Sequence, residues 1–166
     1  MDAIQIWIDA DSCPALVRNH VIKTANKKNL DVFLVANKVI PTPPDLIHKM
    51  IVTDSEKDAA DNYIFENVKE NDLVITRDIV FADRLVEKEI TCINDRGTIF
   101  NQDNIKQLLS SRDFDLTLYN LGLVKHFNEG YDKEKFTKFA NAFDKSLTKE
   151  PRSFSDAFFR AKGLSG

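Results

Sequence analysis

Cysteine is nearly absent from this chain. Its two, Cys13 and Cys92, lie far apart, outside any Cys-x-x-Cys or Cys/His spacing, which excludes a disulfide framework and a zinc knuckle. Three histidines, His20, His48 and His126, are scattered without metal-binding spacing. Glycine and proline are sparse at five each, so neither a collagenous nor a low-complexity chain is in view. No window approaches 18 continuous apolar residues, so no membrane-spanning helix is expected. The start, MDAIQIWID, carries an acid at position 2 and no basic leader, and is not expected to be a signal peptide. With free thiols as the default, the expectation is a cytoplasmic, reduced protein. An excess of positive charge is missing too: the net charge is -3, no general reason to expect a nucleic-acid partner.

Alternating apolar segments are abundant instead. IQIWI (4–8), VFLVA (32–36), KMIVT (49–53), DLVIT (72–76) and a weaker EITCI (89–93) read as strands. Helical patterns fall between them at 14–28, with Pro14 in the first turn, at 56–69 and at 79–88. VIPTPPDL (39–46) reads as a loop. Strand and helix alternating in this way imply right-handed βαβ units, a mostly parallel sheet and an α/β fold. Beyond residue 100 the pattern is helical. Ile105, Leu108 and Leu109 make one apolar stripe, and Phe136, Phe139, Ala140, Phe143 and Leu147 another. Seven of the twelve Phe lie between 127 and 159. These stripes suit packing onto the sheet, with a homo-oligomer surface as the alternative. No linker marks a second domain, so residues 1–166 are expected to form one domain, with 101–166 packed on it.

The charges are placed unevenly. Residues 133–166 carry eight Lys/Arg against four Asp/Glu, and residues 1–132 carry fifteen against twenty-two. Solvated helix faces would account for this, and so would an acidic pocket flanked by a basic segment. The acids favour the pocket. IWIDADSCP ends a strand on Asp9 and Asp11, and VITRDI ends another beside Asp78. Ligands of open α/β sheets bind outside the carboxyl ends of the strands. Asp58 and Asp61, in SEKDAADNY, fall three apart in the first turns of a helix and share a face. Asn37, ending the second strand, points to the same rim. Each acid has a plainer use: Ser55 and Asp58 have capping-box spacing, Asp61 suits a surface, and Asp11 or Ser12 suits a cap on the next helix. Together, though, four or five carboxylates at one rim stay ionised only beside a cation. All-oxygen ligands select Mg²⁺ or Mn²⁺ over zinc. Such ions support in-line hydrolysis of a phosphodiester.

The ordered set IDADSCP, VANK, DAAD, DLVITRDI, the RG of NDRG, and FANAFD resembles the YaiI/YqxD family of small bacterial proteins, within the PIN-like superfamily, from about residue 4 to 148. The resemblance implies a PIN-like three-layer α/β/α fold with strand order 3-2-1-4-5. It also implies an Mg²⁺- or Mn²⁺-dependent ribonuclease site, with the activity inherited from the superfamily. Asp9, Asp11, Asp58, Asp61 and Asp78 match the motif acids, and Asn37, Arg84 and Arg96 match other motif positions. Asp83 stands where alanine is usual and is not counted as a ligand. Asp95 replaces the proline of a D-P-R-G motif, and the tail 151–166 has no counterpart.

For an RNA strand, Arg18, Arg77 and Arg96 are candidate phosphate contacts, with Lys145, Lys149 and Arg152 extending the track. Arg84 and Arg96 suit equally well as partners of the acids. Aromatic stacking favours a single strand. Two rival functions remain: a non-catalytic RNA- or protein-binding module, and a haloacid-dehalogenase-like phosphatase with Asp9 as nucleophile. Against the latter, Pro14 starts a helix almost at once. Cys13, beside two aspartates, is expected to be inert, and Trp7 to be buried.

Overall fold

The apolar runs pair side by side in the computed structural model of the chain, which describes residues 3–123 and 130–148. Five strands are parallel: β1 (Ile6–Asp9), β2 (Val32–Ala36), β3 (Lys49–Val52), β4 (Leu73–Ile75) and β5 (Thr91–Ile93). β6 (Ile99–Phe100) closes one edge antiparallel to β5. The order is β3-β2-β1-β4-β5-β6, so the expected 3-2-1-4-5 order holds and β6 is an addition. Two residues are too short for a period-2 pattern to reveal. The order in which strands are added reverses at β1, which pairs with both β2 and β4 through Ile6↔Val32 and Ile6↔Leu73.

Alternation along β1 sends its side chains to two cores. Ile6 and Ile8 join one core with Val17, Val21 and Ile22 of α1 (Ala15–Lys28) and Phe139 and Phe143 of α5 (Lys133–Thr148). Trp7 joins the other with Ile64 of α2 (Ala59–Asn67), Phe81 and Leu85 of α3 (Ile79–Glu87) and Ile105 of α4 (Ile105–Asn120). The sheet is thus covered on both faces, each large side chain contributing about 1.5–3 kcal/mol by burial. The Phe stripe packs inward: Phe139 and Phe143 are buried, and His20 of α1 meets their rings and that of Phe136 edge-on. Among the described residues, no helix is long and apolar enough to cross a membrane.

Several boundaries differ from those expected. α2 begins at Ala59, so Asp58 stands before the helix rather than in its first turn, with φ +64° and no side-chain capping bond. The Ser55–Asp58 capping box therefore does not form; Asp54 instead accepts from the Glu56 N–H at 3.1 Å. Neither Asp11 nor Ser12 caps α1. Both lie in a 3₁₀ turn, Ala10–Ser12, and Pro14 is the N-cap. A chain this poor in glycine uses Asn29, Asp58 and Glu89 at positive φ.

Trp7 is buried as expected, and its Nε1 donates to Asp72 Oδ2 at 3.0 Å. Asp72, 2% exposed, also accepts from the backbone N–H groups of Gln5 at 3.1 Å and Lys69 at 2.9 Å. It ties the amino ends of β1 and β4 together.

One glycine is indispensable. Gly97, in the β5–β6 turn, has φ +87°, and a Cβ there would lie 2.5 Å from the backbone oxygen of Lys138 in α5. Gly97→Ala is expected to lower stability by about 1–3 kcal/mol through strain and displacement of α5. Urea unfolding measures this, and a variant as stable as the parent would refute the close packing of turn and helix.

Candidate metal centre

Parallel pairing brings the carboxyl ends of β1 and β4 to one edge. Ile8 pairs with Ile75, so the next residues, Asp9 and Thr76, lie side by side. Thr76 Oγ1 donates to Asp9 Oδ2 at 3.0 Å and accepts from the Asp78 N–H at 3.1 Å. Asp78 then caps α3: its Oδ1 accepts from the N–H groups of Val80 at 2.9 Å and Phe81 at 3.2 Å, leaving Oδ2 outside the cap. From the other side, α2 presents Asp61 from its first turn, with Asp58 just ahead of it. Two helix N-termini thus face the acids, and their partial positive charge favours anions there.

The outcome is a dense group of oxygens. One carboxylate oxygen each from Asp58, Asp61 and Asp78 lies within 4.8 Å of the other two. Ligands on opposite sides of an ion at 2.0–2.5 Å are separated by about 4–5 Å, so the three fit one hard cation. Asp9 and Asp61 are buried at 8% exposure each. Burial foremost pushes Asp61 up to about 8, with the charges of Asp9, Asp78 and Asp58 adding to it. Burial also raises Asp9, against the hydrogen bonds from Thr76 and Asp61. The crowded pair therefore retains a proton to higher pH than free carboxyls do. A proton here performs the charge compensation a cation would provide.

Asp11 is exposed, and its two oxygens accept from the Asn37 N–H at 3.2 and 3.1 Å. This contact pins the 3₁₀ turn to the end of β2. A cavity of about 210 Å³ opens over the group, and Asp9, Asp11, Asp54, Glu56, Asp58 and Asp61 line it. Asp54 and Glu56 were not among the expected acids, although both stand in the same acid-dense stretch, VTDSEKDAAD. Thr76 was missed as well, because a β-branched residue ending an apolar run reads as a strand former.

The arginines divide. Arg77 pairs with Asp95 at 2.5 Å, and Asp95 is 3% exposed, with one carboxylate oxygen left without a partner. Arg84 donates to Asn62 at 3.0 Å and lies over the Phe65 ring at 4.3 Å. Arg18 donates to the Cys13 carbonyl, just ahead of its own helix. Arg96 is exposed, and among the described residues no carboxylate pairs with it. Asp83, set aside as a ligand, pairs with Lys106 of α4 at 3.3 Å. Burial pushes the Cys13 thiol up to about 12, which makes it inert as expected. Lys149 and Arg152 lie outside the described residues.

Comparison with known proteins adds kinship. The model of a family described as "Uncharacterized BCR, YaiI/YqxD family" matches residues 7–149. A UPF0178 protein of Treponema denticola is 44% identical over 146 residues, covering 88% of this chain and 93% of the relative. UPF0178 proteins of Psychromonas ingrahamii and Stutzerimonas stutzeri are 40% and 37% identical, covering 89% and 90% of this chain and 98% and 99% of theirs. No solved structure matches the chain.

The raised carboxyls set a pH dependence. Folded Asp61 keeps a proton that the unfolded chain releases near 3.8, so its contribution is complete below that pH and is lost as pH rises to about 8. In chelator, the melting temperature is therefore expected to fall from pH 5 to pH 8. Asp61→Asn, which keeps a donor toward Asp9, is expected to flatten that fall and raise the pH 8 melting temperature by about 2–4 °C. A variant that melts lower at pH 8 would mark Asp61 as a structural residue only.

Proposed function

The chain belongs to the YaiI/YqxD family, and from that premise we propose that it is a metal-dependent ribonuclease. It cleaves phosphodiesters of single-stranded RNA in the cytoplasm, at Asp9, Asp11, Asp58, Asp61 and Asp78, with Mg²⁺ or Mn²⁺ as cofactor. The observation that carries this reading is the mutual approach of the Asp58, Asp61 and Asp78 oxygens within 4.8 Å, in a donor set without nitrogen or sulfur.

Asp58, Asp61 and the uncapped oxygen of Asp78 would hold the ion, which supplies Lewis acidity toward the scissile phosphate and an attacking water. The chain's own residues do the rest. Thr76 fixes Asp9 and, through its acceptor role, the start of α3. Burial and the neighbouring carboxylates push Asp61 up to about 8, so cation uptake and proton release are linked. Asp11, held by the Asn37 N–H, lines the cavity mouth, where it can orient a water or accept its proton. The N-terminus of α3 offers positive partial charge to the anionic rim. The phosphatase rival draws less support. Asp9 is buried, and its carboxyl is engaged by Thr76 and Asp61, which suits a ligand-holding group better than an exposed nucleophile.

Calorimetric titration with Mn²⁺ is expected to show binding that weakens at least tenfold in Asp61→Asn. A labelled single-stranded RNA is expected to be cut only with Mn²⁺ or Mg²⁺ present, with rates falling about 10²-fold or more in Asp9→Asn and Asp61→Asn. Equal Mn²⁺ affinity in variant and parent would refute the metal centre. Tight binding of RNA without metal-dependent cleavage would assign the chain to the binding modules.

A further inference from the structure

A second concavity lies beyond the acids, at the same carboxyl edge of the sheet but toward the α5 face. It is a groove of about 530 Å³ between the β5–β6 turn and α5. Arg96, Thr98, Lys138, Asn141 and Lys145 supply its polar lining, and no acid contributes, although the chain carries a net charge of -3. Lys138, Asn141 and Lys145 recur at i, i+3 and i+7, one face of the helix. Phe139 and Phe143 occupy the buried face. The two lysines are separated by seven residues, about 10 Å along the axis.

The opposing wall is rigid. Asn94 Oδ1 accepts from the N–H groups of Arg96 and Thr98, both at 2.9 Å, and the Asn94 N–H donates to the Thr98 carbonyl at 3.0 Å. The Tyr131 hydroxyl donates to the Asp95 carbonyl at 2.7 Å, binding the approach to α5 to the same turn. Gly97 seats the turn directly on the α5 backbone. Arg96 is therefore held on a preorganised loop, where ordering it for a ligand costs little. Lys138 does have a partner, Glu134 at 3.4 Å, but the pair is exposed and i,i+4 on the helix surface, so an incoming anion competes with it readily.

The groove is also in register with the acidic rim. β1, β4 and β5 are successive strands. Two strand spacings place the end of β5 about 10 Å from Asp9. The Arg77–Asp95 pair bridges the interval, with Asp78 beside one partner and Arg96 beside the other. We infer that this cationic groove binds backbone phosphates of single-stranded RNA next to the nucleotide that enters the acidic rim. The inference rests on the ribonuclease reading and names how that site holds its polymer. A single strand is the occupant because its backbone can follow the turn and helix face while one nucleotide bends into the acid-lined cavity. Contacts from lysine and arginine to phosphates also ignore sequence.

The test is fluorescence polarisation of a labelled single-stranded RNA in chelator, across a salt series. Arg96→Gln/Lys145→Gln alters exposed side chains and is expected to fold normally. It should weaken binding and reduce the slope of log K against log salt by about 1.4, about 0.7 for each lost phosphate contact. Lys27→Gln/Lys28→Gln makes the same charge change at the end of α1, at the opposite edge of the sheet, and should leave the slope unchanged. An unchanged slope in the groove variant, an equal loss in the control, or tighter capture of duplex than of single strand through Arg96 and Lys145 would each overturn the inference. The two readings fail separately. Loss of the slope change with Mn²⁺ binding intact removes the groove alone, whereas retained slope change without Mn²⁺ binding removes the metal centre alone.

Discussion

Carboxylates repel one another, and parallel strands force them together here. Because β1 and β4 run in the same direction, every charge at their carboxyl ends shares one edge. α2 and α3 then start from that edge with Asp61 and Asp78. The molecule tolerates the crowding in three ways. Helix N-termini face the acids, Thr76 donates to Asp9, and the buried Asp61 carboxyl takes up a proton more readily than a free one. Each device is incomplete, since one oxygen each of Asp58, Asp61 and Asp78 still lies within 4.8 Å of the other two. The residual unfavourable charge makes the rim compatible with a cation.

Asp72 supplies the contrast within the same sheet. It is more buried than any rim acid, yet three N–H donors converge on it, from Gln5, Trp7 and Lys69. A carboxylate satisfied in this way stabilises the fold and has little left to offer a ligand. The rim acids are supplied with fewer donors than their oxygens can accept. What separates the structural Asp72 from the rim acids in this chain is therefore the donor count around it, more than burial or position in the sheet.

That distinction explains how much could be read from the chain alone. Strand runs and helical periods are patterns of apolar residues, so the βαβ order and the clustering of Asp9, Asp61 and Asp78 at one edge were legible. Donor placement depends on backbone geometry, and no spacing reveals it. Asp58 looked like a first-turn residue because its i,i+3 relation to Asp61 fits a helix, but its φ of +64° puts it ahead of one. Asp11 reads as a rim acid with a helix cap as its plainer use; it makes no cap and instead holds Asn37 across the sheet edge. Arg77 looked free for phosphate until β5 brought Asp95 beside it, a contact between residues eighteen positions apart. The cationic groove was half visible: Arg96 and Lys145 stood out singly, while their meeting depends on Gly97 packing against α5.

Asp58 shows how local strain and the rim's chemistry belong together. A non-glycine residue at positive φ is uncommon, and aspartate is among those that tolerate it best. Glycine at 58 would relieve the backbone and add conformational ease, but would remove one of the three converging oxygens. Placing the carboxylate just outside α2, rather than within it, tilts it toward Asp61 and Asp78 instead of along the helix surface. The cost in backbone energy is of order 1 kcal/mol and is offset by the two cores that clamp the sheet between α1 and α5 on one side and α2, α3 and α4 on the other. The stability of the layers thus permits an edge that, by itself, resists folding.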